Sequence, residues 1–351
     1  MIAWVRNHGK LGSVTRIPWW ASVPVWVRRV LAGLGMLVLL LVVAFGTGYG
    51  ALLAEDSGTI SPQARSAGDD ALWMGHAWVD GRHGQADLDA LVARLRETGI
   101  RDLFVHSGPL SDDGTLNPAL RPKARWLVTS LHKALPGVRV QAWLGDVTGG
   151  GHMDLESAAT RTAVTRSVRQ VLADGFDGAH LDMEPVNTGD PGYLAMLSQV
   201  HAATKAMGRL LSVATEPVAG LGLAQTWLPY PHWWSPGYLH QVAIRSDEVA
   251  IMTYNSPLPT GGSYAGYVRW ETQLALAAVP PDVTLLIGAP AYSTGGPWPF
   301  SSAETVARAI RGARLAISPV PPGRPFGIAL YVDFTATAQD WASYLTDWMA
   351  R

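Results

Sequence analysis

Gly175-Phe176-Asp177-Gly178-Ala179-His180-Leu181-Asp182-Met183-Glu184-Pro185 is the stretch on which the fold turns. A β-strand sends successive side chains to opposite faces. Gly178, His180, Asp182 and Glu184 therefore share one face, while Ala179, Leu181 and Met183 share the other. An apolar back and a polar front ending in two carboxylates cost free energy to bury. Such a cost belongs at the C-terminal end of a strand, where parallel α/β folds place their chemistry.

Outward from this strand, from residue 71 on, strand-like and helix-like patterns alternate, the signature of a parallel α/β fold. Strands are expected at 72–78, 101–106, 138–144, 176–183, 210–215, 248–254, 283–288 and 326–332. Helical patterns lie near 87–98, 122–134, 156–173, 192–207, 237–246, 265–278, 302–315 and 337–349. Eight such units in about 280 residues fit a (β/α)8 barrel, whose usual size is ~250 residues. A doubly wound open sheet is the competing arrangement. It would carry a glycine-rich phosphate loop after its first strand, whereas the first strand here leads into HAWVDGRHG at 76–84. The expected fold class is therefore α/β, a TIM barrel over residues 71–351, with no second domain and no internal repeat.

Upstream of the barrel the composition changes. Residues 1–29 hold Arg6, Lys10, Arg16, Arg28 and Arg29 and no acid, and residues 30–54 (VLAGLGMLVLLLVVAFGTGYGALLA) hold no charge at all. About 20 apolar residues span a bilayer. With Arg28 and Arg29 at one end and Glu55 and Asp56 at the other, the positive-inside rule puts the N-terminus in the cytoplasm. Trp19, Trp20 and Trp26 suit the headgroup region. The expected organisation is a basic cytoplasmic tail (1–29), a transmembrane signal anchor (30–54), a polar linker (55–70) and an extracytoplasmic barrel. A secreted protein released by signal cleavage is the alternative, although cleavage after Ala54 would put Leu52 at the −3 position and no A-x-A site is present. The overall charge of −1 conceals this asymmetry, since the remainder carries 22 basic against 28 acidic residues. Nucleic acid is not an expected partner of such a domain. The absence of cysteine excludes disulfides, thiolate metal sites and a cysteine nucleophile, and 48% hydrophobic against 16% charged residues leaves room for a sizeable core.

Within a barrel, Asp182 and Glu184 lie one above the other near the upper rim. Two adjacent carboxyls do not ionise independently, so one is kept protonated at neutral pH. A glycosidase acid needs a proton held in this way; the bland alternative is a pair of loop-capping or ion-paired acids. His76, His83, His106 and His152 form no compact ligand spacing and no G-x-S-x-G follows a strand, so neither a metal, a cofactor nor a serine nucleophile is expected.

Asp177-Gly178-Ala179-His180-Leu181-Asp182-Met183-Glu184 resembles the D-G-x-D-x-D-x-E strand of glycoside hydrolase family 18, the chitinases and endo-β-N-acetylglucosaminidases. Seventy residues after Glu184, Met252-Thr253-Tyr254-Asn255 resembles the family's M-x-Y-D at the end of the sixth strand, and it falls on the sixth expected strand here. The resemblance implies substrate-assisted hydrolysis of a β-linked N-acetylhexosamine glycan, one of the exceptions to the two-carboxylate scheme. Glu184 would be the acid, Asp182 would orient the sugar's acetamido group, and Tyr254 would hydrogen-bond its oxygen. Two departures stand out. His180 replaces the middle Asp of the family strand, either as a partner of Asp182 or as a satisfied core histidine. Asn255 replaces the last Asp of the second motif.

Other strand ends offer His76, Trp78, His106, Asp146, Glu216, Tyr331 and Asp333, of which Trp78, Glu216 and Tyr331 are candidates for the sugar cleft together with His180, Met252 and Asn255. Asp146 and Asp333 suit caps as well. The loop 226–236 carries Trp227, Tyr230, Trp233 and Trp234, which would stack on pyranose faces or pack as a small loop core. A glycosidase acting on a carbohydrate is thus the first expectation. A sugar-binding barrel without catalysis, and a retaining glycosidase of another family using Asp182 or Glu216 as nucleophile, are the alternatives. The oligomeric state is not legible.

Overall fold

The computed structural model describes residues 23–218, 233–256, 258–293 and 302–349. The chain divides after Tyr49 into two compact units. Within the second, among the described residues, eight parallel strands close in sequence order into a barrel. They are β1 (Asp70–Met74), β2 (Ile100–Pro109), β3 (Arg139–Val147), β4 (Gly178–Glu184), β5 (Leu210–Thr215), β6 (Glu248–Ile251), β7 (Thr284–Pro290) and β8 (Phe326–Tyr331). β8 closes on β1 through Ala71–Ala329 and Leu72–Leu330. The eight expected strands are all present, with shifted ends.

The helices are α1 (Val25–Glu55), α2 (Ala77–Asp80), α3 (Gln85–Leu95), α4 (Ala124–Ala134), α5 (Ala158–Ala173), α6 (Pro191–Ala206), α7 (Pro236–Ala243), α8 (Gly261–Ala278), α9 (Val306–Ile317) and α10 (Ala338–Ser343), the last running into a π turn at Tyr344–Met349. Their starts are written in the sequence. Ser157, Asp190, Ser235, Thr260, Thr305 and Thr337 each accept a hydrogen bond from a first-turn N–H of the helix that follows, satisfying donors a helix cannot satisfy itself. α1 is long and apolar enough to cross a membrane, and its side chains from Val30 to Phe45 stand exposed, Leu31, Leu34, Leu37 and Leu40 among them.

Alternation along the strands sorts the core into two shells. Ala179, Leu181 and Met183 face the helices in the outer shell, together with Leu103, Leu144, Val213 and Ile287. The barrel interior is layered. Lowest lies a polar plug in which the Arg139 guanidinium meets Asp102 and Glu248, while Gln141 Nε2 donates to both carboxylates at 2.9 and 3.1 Å. Above it sit Trp73, Phe104 and His180, and above those Trp143, Asp182 and Tyr331 reach the upper rim.

The polar stretch 55–70, expected as a linker, is instead fastened to the barrel wall. Arg269 Nη1 of α8 donates to the carbonyls of Glu55 and Ser57 at 2.7 and 3.1 Å. Arg311 Nε of α9 donates to Asp56 Oδ1 at 2.6 Å. Farther along, Arg314 Nε caps the Ala64 carbonyl at 2.6 Å, and the Ser66 N–H donates to the Trp348 carbonyl. Leu52 is buried against α8, where a Cβ on Gly266 would stand 1.8 Å from the Leu52 carbonyl oxygen. Composition marked these residues as polar; the arginines that hold them come from more than 200 residues away.

Candidate active site

β4 delivers three side chains to the barrel interior, each at a different height. His180, the lowest, is fully buried and stacks on Phe104 with centroids 3.8 Å apart. Trp73 Nε1–H donates to its Nε2 at 3.0 Å, so Nε2 is the acceptor and Nδ1 carries the proton, which goes to Ser212 Oγ at 2.8 Å. Burial holds its pKa down to about 3. His180 is therefore a neutral core histidine with both nitrogens engaged, and it does not pair with Asp182.

Asp182 comes next. Its Oδ2 accepts from Trp143 Nε1–H at 2.8 Å, and its Oδ1 is shut off from solvent with no hydrogen-bond partner among the described residues. β3 makes the room: a Cβ on Gly145 would stand 2.5 Å from the Asp182 carbonyl oxygen. Burial raises the Asp182 pKa to about 6, against the opposing pull of Trp143. Glu184 ends the strand at the mouth, where the residue keeps solvent-exposed surface. Crowding around its carboxyl, then the charges of Asp182 and Glu216, push it up to about 8. Glu216, just beyond β5, is raised to about 7 by burial and by Asp182, with the donating Val186 N–H pulling the other way. All three carboxyls in this mouth are thus raised, and Glu184 holds its proton through neutral pH while Asp182, at about 6, has lost its own.

The opposite wall is aromatic. Tyr254 stacks on Tyr331 at 5.0 Å and 21°, and Tyr331 meets Trp73 and Trp143 edge-on. Gly288 of β7 admits the Tyr254 ring, since a Cβ there would stand 2.9 Å from its Cε1. Both phenols are raised by burial first and by Asp182 and Glu184 as well, Tyr331 to about 12. Both are therefore protonated and able to donate through the neutral range.

No protein-family model matches the sequence, and no curated protein matches it. Solved structures do. The spore cortex-lytic enzyme SleL from Bacillus megaterium superposes with a TM-score of 0.57 at 15% identity, over 80% of this chain and 73% of that one. A chitinase from Chromobacterium violaceum gives 0.56 at 14% identity, over 80% and 99%. A class V chitinase from Pseudomonas fluorescens gives 0.54 at 14% identity, over 79% and 98%. The chain has the fold of the chitinase-like barrels.

Several expected residues lie elsewhere. Trp234 is buried, with its Nε1–H on the Val186 carbonyl at 2.8 Å and its ring against Tyr193 and Tyr238. It is loop core and offers no face to a sugar. Trp78 sits in α2, beyond β1, buried with its Nε1–H on Asp333 Oδ2 at 2.6 Å, so it too is structural. Trp233 is half-buried; Trp227 and Tyr230 lie outside the described residues. β6 stops at Ile251, earlier than expected, and Met252, Thr253, Tyr254 and Asn255 form the loop beyond it. Met252 is half-buried there, its N–H on the Thr215 carbonyl.

Three residues at or beside the mouth escaped the sequence. Trp143 holds Asp182. Tyr292, beyond β7, lies edge-on to Tyr254 and Tyr331, and Glu304 sits behind the Tyr254 loop. The only available signal was that Trp143 and Tyr292 fall at or just past the ends of expected strands. His76 and His106 face each other with Nδ1 atoms 3.2 Å apart, and His106 is held down to about 4, by burial and then by His76. Among the described residues, no group of three or more His, Asp or Glu is placed to hold a metal ion.

Proposed function

We propose that this chain is a glycoside hydrolase of the chitinase kind, held at a membrane by residues 30–54 with its barrel outside. Its substrate would be a β-linked N-acetylhexosamine glycan, cleaved with the help of the substrate's own acetamido group. The observation that carries the reading is the pairing of a raised Glu184 with a deeper, half-satisfied Asp182 across the mouth from Tyr254. The chitinase-like barrels supply the precedent of fold.

Glu184, protonated at neutral pH, gives its proton to the glycosidic oxygen as the C1–O bond breaks. The acetamido carbonyl oxygen attacks C1 and closes an oxazolinium ring. Asp182, shifting so that its unpartnered and now enclosed Oδ1 meets the cleft, takes the acetamido N–H and stabilises the positive charge. The Tyr254 hydroxyl donates to the acetamido oxygen, and Tyr331 floors the ring. Glu184, now a carboxylate, removes a proton from water as the water attacks C1, the ring opens and the acid is restored.

Glu184→Gln is expected to abolish hydrolysis of chito-oligosaccharides while leaving the fold intact. Full activity in that variant would sink the assignment. The carboxyl of Glu216 supports a second reading, a retaining enzyme acting on a sugar without an acetamido group. A fluorosugar would then trap a covalent adduct, which the substrate-assisted route does not form.

A further inference from the structure

The loop that carries Tyr254 is held from behind by a single buried acid. Glu304, 2% exposed, accepts the Asn255 N–H on Oε2 at 2.9 Å and the Ser256 N–H on Oε1. These are successive amides, one on each carboxylate oxygen. Asn255 has a φ of 60°, the left-handed region that Asn tolerates better than most residues. Its Oδ1 accepts the Tyr292 hydroxyl at 2.6 Å. Tyr292 stands edge-on to Tyr254 at 6.1 Å and to Tyr331 at 6.0 Å. One carboxylate thus sets the turn, and the turn sets both the residue before it and, through Asn255, the tyrosine beside it.

No ion pair to Glu304 is found among the described residues; the two amides support its charge, against burial that raises its pKa. From this arrangement we propose that Glu304 is a positioning residue for Tyr254 and Tyr292, and that position 255 is uncharged because Glu304 is charged. A carboxylate at 255 would share a two-residue turn with the buried one. Like charges so placed repel, and the easiest relief is for the turn to loosen, which moves Tyr254. The proposal rests on Tyr254 acting on the substrate, as set out above.

The test uses the full chain in detergent and a fluorogenic chitobioside, with Glu304→Gln, Asn255→Asp, their combination and Tyr292→Phe. Glutamine keeps one acceptor and turns an N–H donor toward the second amide. Glu304→Gln should lower kcat about tenfold per folded molecule with KM nearly unchanged, since the interaction lost is one made in the transition state. Asn255→Asp should lower kcat several-fold, and the double variant should be clearly more active than the product of the two single effects, because the turn again carries one negative charge. Independent, multiplying effects would overturn the charge pairing. Unchanged kcat in Glu304→Gln, with only a lower Tm, would overturn the positioning role. Should Glu304→Gln fail to fold, Asn255→Asp and Tyr292→Phe carry the test alone, with unchanged kcat in both as the contradicting result. A second readout does not depend on activity. The Asn255 and Ser256 amide protons should resonate far downfield in the native chain, and Glu304→Gln should move at least one of them back. If the native chain proves inactive on the chitobioside, the proposed function fails, and the amide resonances still decide whether Glu304 holds this turn.

Discussion

Trp143→Phe isolates the one hydrogen bond that keeps the Asp182 carboxylate ionised. Phenylalanine retains a ring against His106 and Tyr331 but removes the Nε1–H that reaches Asp182 Oδ2 at 2.8 Å. Because Oδ1 has no partner among the described residues, the variant leaves a buried carboxylate with nothing to support its charge. A hydrogen bond to a charged group contributes roughly 1.5–3 kcal/mol, and 1.36 kcal/mol corresponds to one pKa unit, so Asp182 should rise from about 6 by about one to two units. The proposed mechanism needs Asp182 ionised and Glu184 protonated, which would confine activity between the two values, about 6 and about 8. Raising the first moves the acid limb of the pH–rate profile upward. The basic limb is set by Glu184 losing its proton beside an ionised Asp182 and should stay in place, so the window narrows from below. Initial rates on a chito-oligosaccharide between pH 4 and 10 check this. The rate near pH 6 should fall about fivefold for the first pH unit by which the acid limb moves up and about tenfold for the next. A folded variant whose acid limb stays where the native chain has it would refute the role given to Asp182.

His180→Phe removes the acceptor of Trp73 Nε1–H and one of the partners of Ser212, which keeps its bond to Glu248; one buried donor left unpaired should cost about 1–3 kcal/mol in urea unfolding. Its pH–rate profile should keep its shape, because both His180 nitrogens bond to Trp73 and Ser212 and neither to Asp182. Gly288→Ala would place a Cβ 2.8 Å from the Ile251 carbonyl oxygen and 2.9 Å from Tyr254 Cε1. Overpacking of this kind costs about 1–3 kcal/mol, and the displaced ring should lower kcat further. Glu271 is buried in α8, with one oxygen on the Val218 N–H at 2.7 Å and the other unpartnered among the described residues; burial raises it to about 8. Its folded pKa lies above its unfolded value, so the stability linked to it is present at low pH and lost as pH rises through about 8. Glu271→Gln should therefore raise Tm at about pH 9 and change it little at about pH 5.

The barrel was legible because its signal is local. Each strand alternates over a few residues, six of the helices open on their own Ser, Asp or Thr caps, and repetition eight times leaves one closed arrangement. The carboxyl pair on β4 was legible for the same reason, since Asp182 and Glu184 are two residues apart on one strand. What the sequence left open depended on distant partners. The role of His180 hung on whether its nitrogens met Asp182, two residues away, or Trp73 and Ser212, 107 and 32 residues away. Trp234 looked like a stacking surface by its neighbours, and its burial follows from the Val186 carbonyl and two tyrosines on other elements. Glu304 carried no local pattern at all. The pairing of β6 with β7 brings it behind the loop that follows β6.

The central claim is that the mouth recognises an acetamido group closing onto C1. Calorimetric titration of the full chain with the thiazoline of chitobiose, against chitobiose itself, tests it most directly. The thiazoline resembles the oxazolinium that Asp182 and Tyr254 are placed to hold, so it should bind at least about 100-fold more tightly than the parent sugar. Equal or weaker binding would contradict the account.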